Sequence, residues 1–298
     1  MTRTCRDWDY ASNHASDPDG RIIIIWKHPA SVTLLHQTRQ SLTCEISIGS
    51  SHKFTFTAIY AANTSPERSD LWVDLLNLQQ TLSLDSTPWV MGGDFNQINH
   101  FSEHSLPGVN CFDTPMLEFR GTLADLGLFD LRYNGPVFTW TNKCPALPIA
   151  KKLDRFLVNH SWISSFSQSQ ASFLPPEISD HCPGLLNLAV HLPTSGTKPF
   201  KFYNYLTKHP LFYQTVHAAW NQAGGIAWDL SHLCVKLKII KRDLKKLNRD
   251  NFSNIQERVR EANTLLNVAQ VKALNDPTSA NFREEKELLE RWKLPQSH

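Results

Sequence analysis

The 298-residue chain predicts an α/β fold. We expect a sandwich of two mostly antiparallel sheets flanked by helices, followed by an all-α helical-hairpin region. Three observations carry this expectation. Residues 20–190 are rich in short runs with a period of two and contain few helical segments, which argues against a Rossmann-like alternation. Two polar signatures, Gly92-Gly93-Asp94-Phe95-Asn96 and Ser179-Asp180-His181-Cys182-Pro183, sit at the ends of apolar runs. Beyond Pro199 the apolar residues change to heptad spacing.

The elements follow in order. The turn Asp17-Pro18-Asp19-Gly20 precedes a β-branched run, Ile22 to Ile25, closed by Trp26. Leu42, Cys44, Ile46 and Ile48 alternate with polar residues, as do Phe54, Phe56, Ala58 and Tyr60, the pattern of half-buried strands. Ser65 as N-cap and Pro66 at the first helical position predict a helix to about Leu82, with Leu71, Trp72, Leu75 and Leu76 on one face. A strand over 88–94 comes next, then a helix from Thr114-Pro115 to Gly127 and short strands over 137–141, 152–158, 171–174 and 184–190. The segment Pro193 to Pro199 reads as the boundary between a domain of residues 1–195 and a helical connector of residues 196–298. In the connector, Leu233, Leu237, Ile240, Leu244 and Leu247 form one seam, and Phe252, Ile255, Val259, Ala262, Leu266 and Ala269 resume it in a shifted register. Asn248-Arg249-Asp250-Asn251 between them predicts the turn of an αα-hairpin, with a third helix between Pro277 and Pro295.

Composition sets the class. A hydrophobic share of 41% and a charged share of 19% describe a globular protein with a sizeable core rather than a disordered chain. The net charge of +2 conceals an asymmetry: 14 basic residues stand against 18 acidic up to Pro199, and 16 against 10 from Phe200. Cys5, Cys44, Cys111, Cys144, Cys182 and Cys234 are scattered without zinc-ligand spacing, so free thiols in a reducing compartment are expected. No apolar signal segment follows Met1, and the Ile22–Ile25 run is far too short for a bilayer. An intracellular protein with no membrane association is the expectation.

The two polar signatures place carboxylates, a carboxamide and an imidazole at strand ends, where they can hold a hard divalent cation and move a proton beside it. With Phe138-Thr139-Trp140-Thr141-Asn142 and Lys152-Leu153-Asp154-Arg155-Phe156, they resemble the endonuclease/exonuclease/phosphatase superfamily. More narrowly, the stretch from about residue 8 to 192 resembles the endonuclease domain of plant LINE-type non-LTR retrotransposon polyproteins. The segment from Lys198-Pro199-Phe200 resembles the helical connector ahead of their reverse transcriptase. The resemblance implies a four-layered αββα sandwich, Mg²⁺-dependent phosphodiester hydrolysis with Mn²⁺ as a substitute, DNA as substrate and an encounter in the nucleus. It implies that Asp94 positions and helps deprotonate the attacking water, with Asn96 holding that water or the phosphate. His181 would stabilise charge on the phosphoryl oxygens, Asp154 would set its tautomer, and Asp180 would join Asp94 on the metal side. Tyr60 matches a position near the scissile phosphate, although an aromatic alternating in a strand also suits a core. Thr139 and Ser179 match positions that touch the nucleic-acid backbone; Thr139 equally suits a plain β-former. Glu103 falls where such enzymes carry an acidic loop residue and is assigned no catalytic role.

The sequence departs from that pattern at one point. The family's first strand ends in asparagine and its second in a metal-binding glutamate written Glu-Thr-Lys, and neither has a counterpart here. Asp7-Trp8-Asp9-Tyr10 resembles the segment just downstream. Glu45 cannot replace the glutamate, because strand alternation turns it away from Cys44 and Ile46. Reduced activity and exposed strand edges are therefore expected. Two other readings stay open. One is a non-catalytic module that binds DNA or RNA through Lys238, Arg242, Lys245 and Arg249 on one helix face, unless that face is simply a solvated coiled-coil surface. The other is a phosphatase that uses the same catalytic set.

Overall fold

Trp89, Val90 and Met91 are fully buried, and the alternation of a strand sends Val90 to one face and its two neighbours to the other. This strand is therefore covered on both sides, and the unit is built in layers around it. A computed structural model describes residues 8–49, 52–189 and 202–293. It divides into two compact units, Met1–Val190 with Leu266–Glu290, and His191–Leu265 with Arg291–His298.

In the first unit, β1 (Asp9–Ser12) and β2 (Ile23–Trp26) pair as an antiparallel ribbon. They are followed by β3 (Ala30–Gln37), β4 (Ser41–Ile48), β5 (His52–Tyr60), α1 (Ser65–Leu82), β6 (Trp89–Asp94) and α2 (Thr114–Asp125). Next come β7 (Phe129–Asp130), β8 (Tyr133–Asn134), β9 (Trp140–Thr141), β10 (Ala150–Lys151), β11 (Asp154–Val158), α3 (His160–Ser165), β12 (Gln170–Phe173) and β13 (Gly184–Asn187). The main sheet runs β3-β4-β5-β6-β11-β7, and a second sheet runs β13-β12-β8. All pairs in the main sheet are antiparallel except β5–β6, where α1 supplies the crossover that parallel strands require.

Two apolar layers flank the main sheet. Leu71, Trp72 and Leu75 of α1 and Phe119 and Leu123 of α2 pack on Ile59, Trp89, Met91 and Leu157. On the opposite face Phe54, Val90 and Val158 meet Trp162, Phe166 and Ala171, which tie in α3 and the second sheet. Asn159 staples the middle of this structure. Its Oδ1 accepts the amides of Trp89 and Trp162, and its Nδ2 donates to the carbonyls of Leu84 and Thr87. The strand expected over 137–141 is reduced to two residues. Its remaining main-chain groups bond irregularly, Thr139 N–H to Lys151 and Cys182 N–H to Thr139, within the loops that carry the site.

The tail differs from expectation at one place. The first of its helices is α4 (Phe212–Gln222); Asn248 to Asn251, expected as a hairpin turn, lies inside one continuous 46-residue helix, α5 (Leu230–Asn275). Asn, Arg and Asp tolerate helix interiors, and the apolar seam runs through, with Leu244, Leu247 and Phe252 packing together on Leu206. The hairpin turn falls instead at Asp276–Thr278, where Pro277 cannot continue a helix, and α6 (Ser279–Lys293) turns back. Leu266–Glu290 groups with the sandwich unit, so the helical half of the chain does not part from it as a single block. The expected boundary at 193–199 lies outside the described residues. Among the described residues no helix is long and apolar enough to cross a membrane.

Candidate active site

Three strand ends line up in register. Asp94 at the end of β6 lies opposite Tyr60 of β5 on one side and Asp154 of β11 on the other. Residues directly opposite share a face of the sheet, so this pairing alone gathers the three side chains. Gly93 makes the arrangement possible: its φ of 142° suits glycine, and a Cβ there would run into the carbonyl of Ile59. The chain then turns through Asn96, at φ 48°, whose amide donates to Asp94 Oδ1 at 2.8 Å. The Asn96 carboxamide donates to the carbonyl of Ala61 and to Asn63 Oδ1, fixing its plane beside Asp94.

His181 arrives from the other loop. Its backbone bridges to Trp140, and the neighbouring Cys182 amide donates to Thr139 at 2.7 Å. The imidazole Nδ1 lies 3.0 Å from Asp154 Oδ2, and Nε2 lies 3.8 Å from Asp94 Oδ2. Ligand atoms of Asp94, Asp154 and His181 all fall within 4.8 Å of one another. Asp154 is committed to Nδ1, which leaves Nε2 as the ring atom facing Asp94.

The other candidates take different places. Thr139 is fully buried, and its hydroxyl accepts the amides of Leu153 and Asp154, so it sets the start of β11. The Ser179 hydroxyl accepts the amide of His181. Asp180 stands just outside the cluster, with Oδ2 accepting the indole N–H of Trp140 at 3.0 Å. Tyr60 is partly open, with the Arg21 guanidinium 5.0 Å above its ring. Lys238, Arg242, Lys245 and Arg249 form an exposed stripe on α5 in the second unit. Arg242 pairs with Asp243 and Arg249 with Asp250. Glu103 is structural: it pairs with the fully buried Arg155 and accepts the amides of Asn99 and His100. Trp140 and Arg21 were not singled out beforehand. Trp140 lay within a recognised motif, whereas no local pattern marks Arg21.

The electrostatics are those of several carboxylates gathered around one imidazole. Burial, reinforced by the charge of Asp154, pushes the Asp94 carboxyl up to about 6. Burial pulls the His181 imidazole down, but the Asp154 hydrogen bond and the charges of Asp154, Asp94 and Asp180 outweigh it, and the net shift is upward. The chemistry of the donor set fits a divalent cation: the carboxylates of Asp94 and Asp154 and an imidazole nitrogen converge within 4.8 Å of one another, with the charge of Asp180 also felt at Asp94. Beside Asn96 a cleft is lined by Arg68, Lys151 and His104, basic groups on the flank of the site.

The comparisons with known proteins bear on this geometry. A model of the endonuclease/exonuclease/phosphatase family matches residues 3–181. The chain belongs to this family. At family level it is a phosphoester hydrolase, of a kind that generally depends on a divalent metal. The chain is similar in fold to the endonuclease domain of TRAS1, a telomere-specific non-LTR retrotransposon. Identity is 16%, 63% of this chain and 83% of that one are covered, and the TM-score is 0.51. More distant are a 3′ phosphatase from Neisseria bound to a product DNA hairpin and a beta toxin of Staphylococcus aureus. The first is 15% identical, covers 61% and 79% of the two chains and has a TM-score of 0.42; the second is 13% identical, covers 55% and 66% and has a TM-score of 0.40. No curated protein matches significantly.

Proposed function

We propose that this chain is a divalent-metal-dependent DNA endonuclease of the plant LINE retroelement type, acting in the nucleus. The observation that carries the reading is the row Tyr60–Asp94–Asp154 with His181 hydrogen-bonded to its end. Similarity to the TRAS1 endonuclease domain supports the choice of a retroelement nuclease over a phosphatase.

Asp94 and Asp180 would hold Mg²⁺ or Mn²⁺, which when bound supplies charge neutralisation at the phosphoryl oxygens. Asp94 would position the attacking water and help take its proton on its buried carboxylate. Asn96 would keep that water in place through its side-chain carbonyl oxygen, since its Nδ2 already donates to Ala61 and Asn63. His181 donates from Nε2 to the phosphoryl oxygens as the imidazolium, which Asp154 orients and stabilises by accepting the Nδ1 proton. Tyr60 lies where its hydroxyl can meet the same phosphate, and Ser179 fixes the turn before His181. Arg68 and Lys151 line the flank along which a sugar–phosphate backbone would pass. Among the described residues, the acidic side chains acting on Asp94 are Asp154 and Asp180, with no glutamate among them.

The full chain incubated with supercoiled plasmid tests this. We expect nicking in Mg²⁺ or Mn²⁺ that stops in EDTA. No metal-dependent nicking at all would favour the alternative of a non-catalytic module that grips DNA or RNA through the α5 stripe. That module's affinity would fall steeply with salt.

A further inference from the structure

The turn that presents Asp180 and His181 is gripped by a side chain nearly a hundred residues away in sequence. Glu177 sits at φ 51°, and the amide of Ser179 closes the following turn onto Pro176. Both main-chain polar groups of Glu177 are taken by one carboxamide: its N–H donates to Gln270 Oε1 at 3.0 Å, and its carbonyl accepts from Gln270 Nε2 at 2.6 Å. Gln270 is 1% exposed and belongs to the part of α5 that groups with the sandwich unit. Behind it Glu285 of α6, also buried, accepts from Gln270 Nε2 at 3.4 Å and from Lys143 Nζ at 2.7 Å. Leu274 fills the same wall, packed with Phe138, Phe173 and Cys182, the residue after His181. Asn275 Oδ1 takes the amide of Val137, two residues before Thr139.

A carboxamide that satisfies both the N–H and the C=O of one residue acts like an added strand residue, and it does so where the backbone is in the left-handed region and most in need of support. We propose that Gln270 is a positioning residue for the site, and that the α5–α6 turn is a built-in brace setting the loop that carries Asp180 and His181. Its catalytic consequence rests on the nuclease reading above; its structural consequence does not.

Two measurements on the full chain keep the two apart. The first is hydrogen exchange of the unaltered protein. The Glu177 amide should be protected on the order of tenfold or more over an open loop amide. If it exchanges at the open-loop rate, the brace does not exist. The second uses Gln270→Met, which keeps the side-chain length but loses both bonds, with Glu284→Ala as control, since the Lys272–Glu284 pair on the same turn is exposed. Gln270→Met should speed exchange across residues 177–182 and lower nicking kcat on the order of tenfold at unchanged KM, while Glu284→Ala should do neither. Unchanged exchange at 177–182 in folded Gln270→Met overturns the proposal whether or not the protein nicks DNA. Faster exchange with unchanged kcat overturns the catalytic half alone.

Discussion

Asp94 is the residue on which the chemistry and the stability of the fold pull in opposite directions. Its folded pKa of about 6 lies above the ordinary 3.8, so the native state binds more protons than the unfolded chain between those values. Stability therefore falls as pH rises through that window, and the full cost, about 3 kcal/mol for a shift of this size, is present above pH 6. Asp94→Asn should thus stabilise the metal-free protein by about 2–3 kcal/mol at pH 8 in urea unfolding, a gain that shrinks toward zero below pH 4. The same substitution should abolish the stabilisation that Mg²⁺ or Mn²⁺ gives the unaltered chain. Asp154→Asn leaves the imidazole in place but removes the charge that stabilises its protonated form, and should lower nicking by about 10–100-fold. Asp94, Asn96, Asp154 and His181 stood in the motifs that carry the family resemblance, and the strand register and loops bring these four together. Thr139 and Asp180 stood in the same motifs, but Thr139 is buried away from any nucleic-acid backbone and Asp180 lies outside the cluster. Thr139 turns inward to hold β11, and Asp180 is tied to Trp140, details that depend on loops whose main-chain bonds follow no period.

Element ends decide how well the site is held. Asn159 caps α3 and ties it to the start of β6 and to the loop before it, with four bonds from one carboxamide. Asn159→Ala leaves several buried backbone groups unpaired and should cost about 3 kcal/mol or more by denaturant unfolding. That role could not be seen in the sequence, since the partners at Leu84, Thr87 and Trp89 are some seventy residues away. The long helix teaches the opposite lesson. Four polar residues at 248–251 looked like a turn, yet none of them forbids a helix, and the flanking apolar seam carried the helix through. Asp250→Pro should therefore cost about 3 kcal/mol and reduce far-ultraviolet helical ellipticity. Had those residues formed a hairpin turn, the substitution would have been nearly silent.

At the scale of the molecule, alternation and strand-end polarity made the sandwich readable, because both are local consequences of burying one or both faces of a sheet. The grouping of Leu266–Glu290 with the sandwich was not readable, since it rests on long-range contacts from Gln270, Leu274 and Glu285. The basic stripe on α5 appears as expected at exposed positions, with Arg242 and Arg249 partly balanced by their acidic neighbours. All of this converges on one claim, that the imidazole held by Asp154 beside Asp94 serves metal-dependent phosphodiester cleavage. The most direct test is the single-turnover nicking rate of supercoiled plasmid by the full chain against His181→Ala, both in saturating Mn²⁺. The account predicts metal-dependent nicking by the unaltered chain and at least about a hundredfold less by the variant, as for the loss of one donor to a charged transition state. Equal rates for the two proteins, or nicking that persists in EDTA, would contradict it.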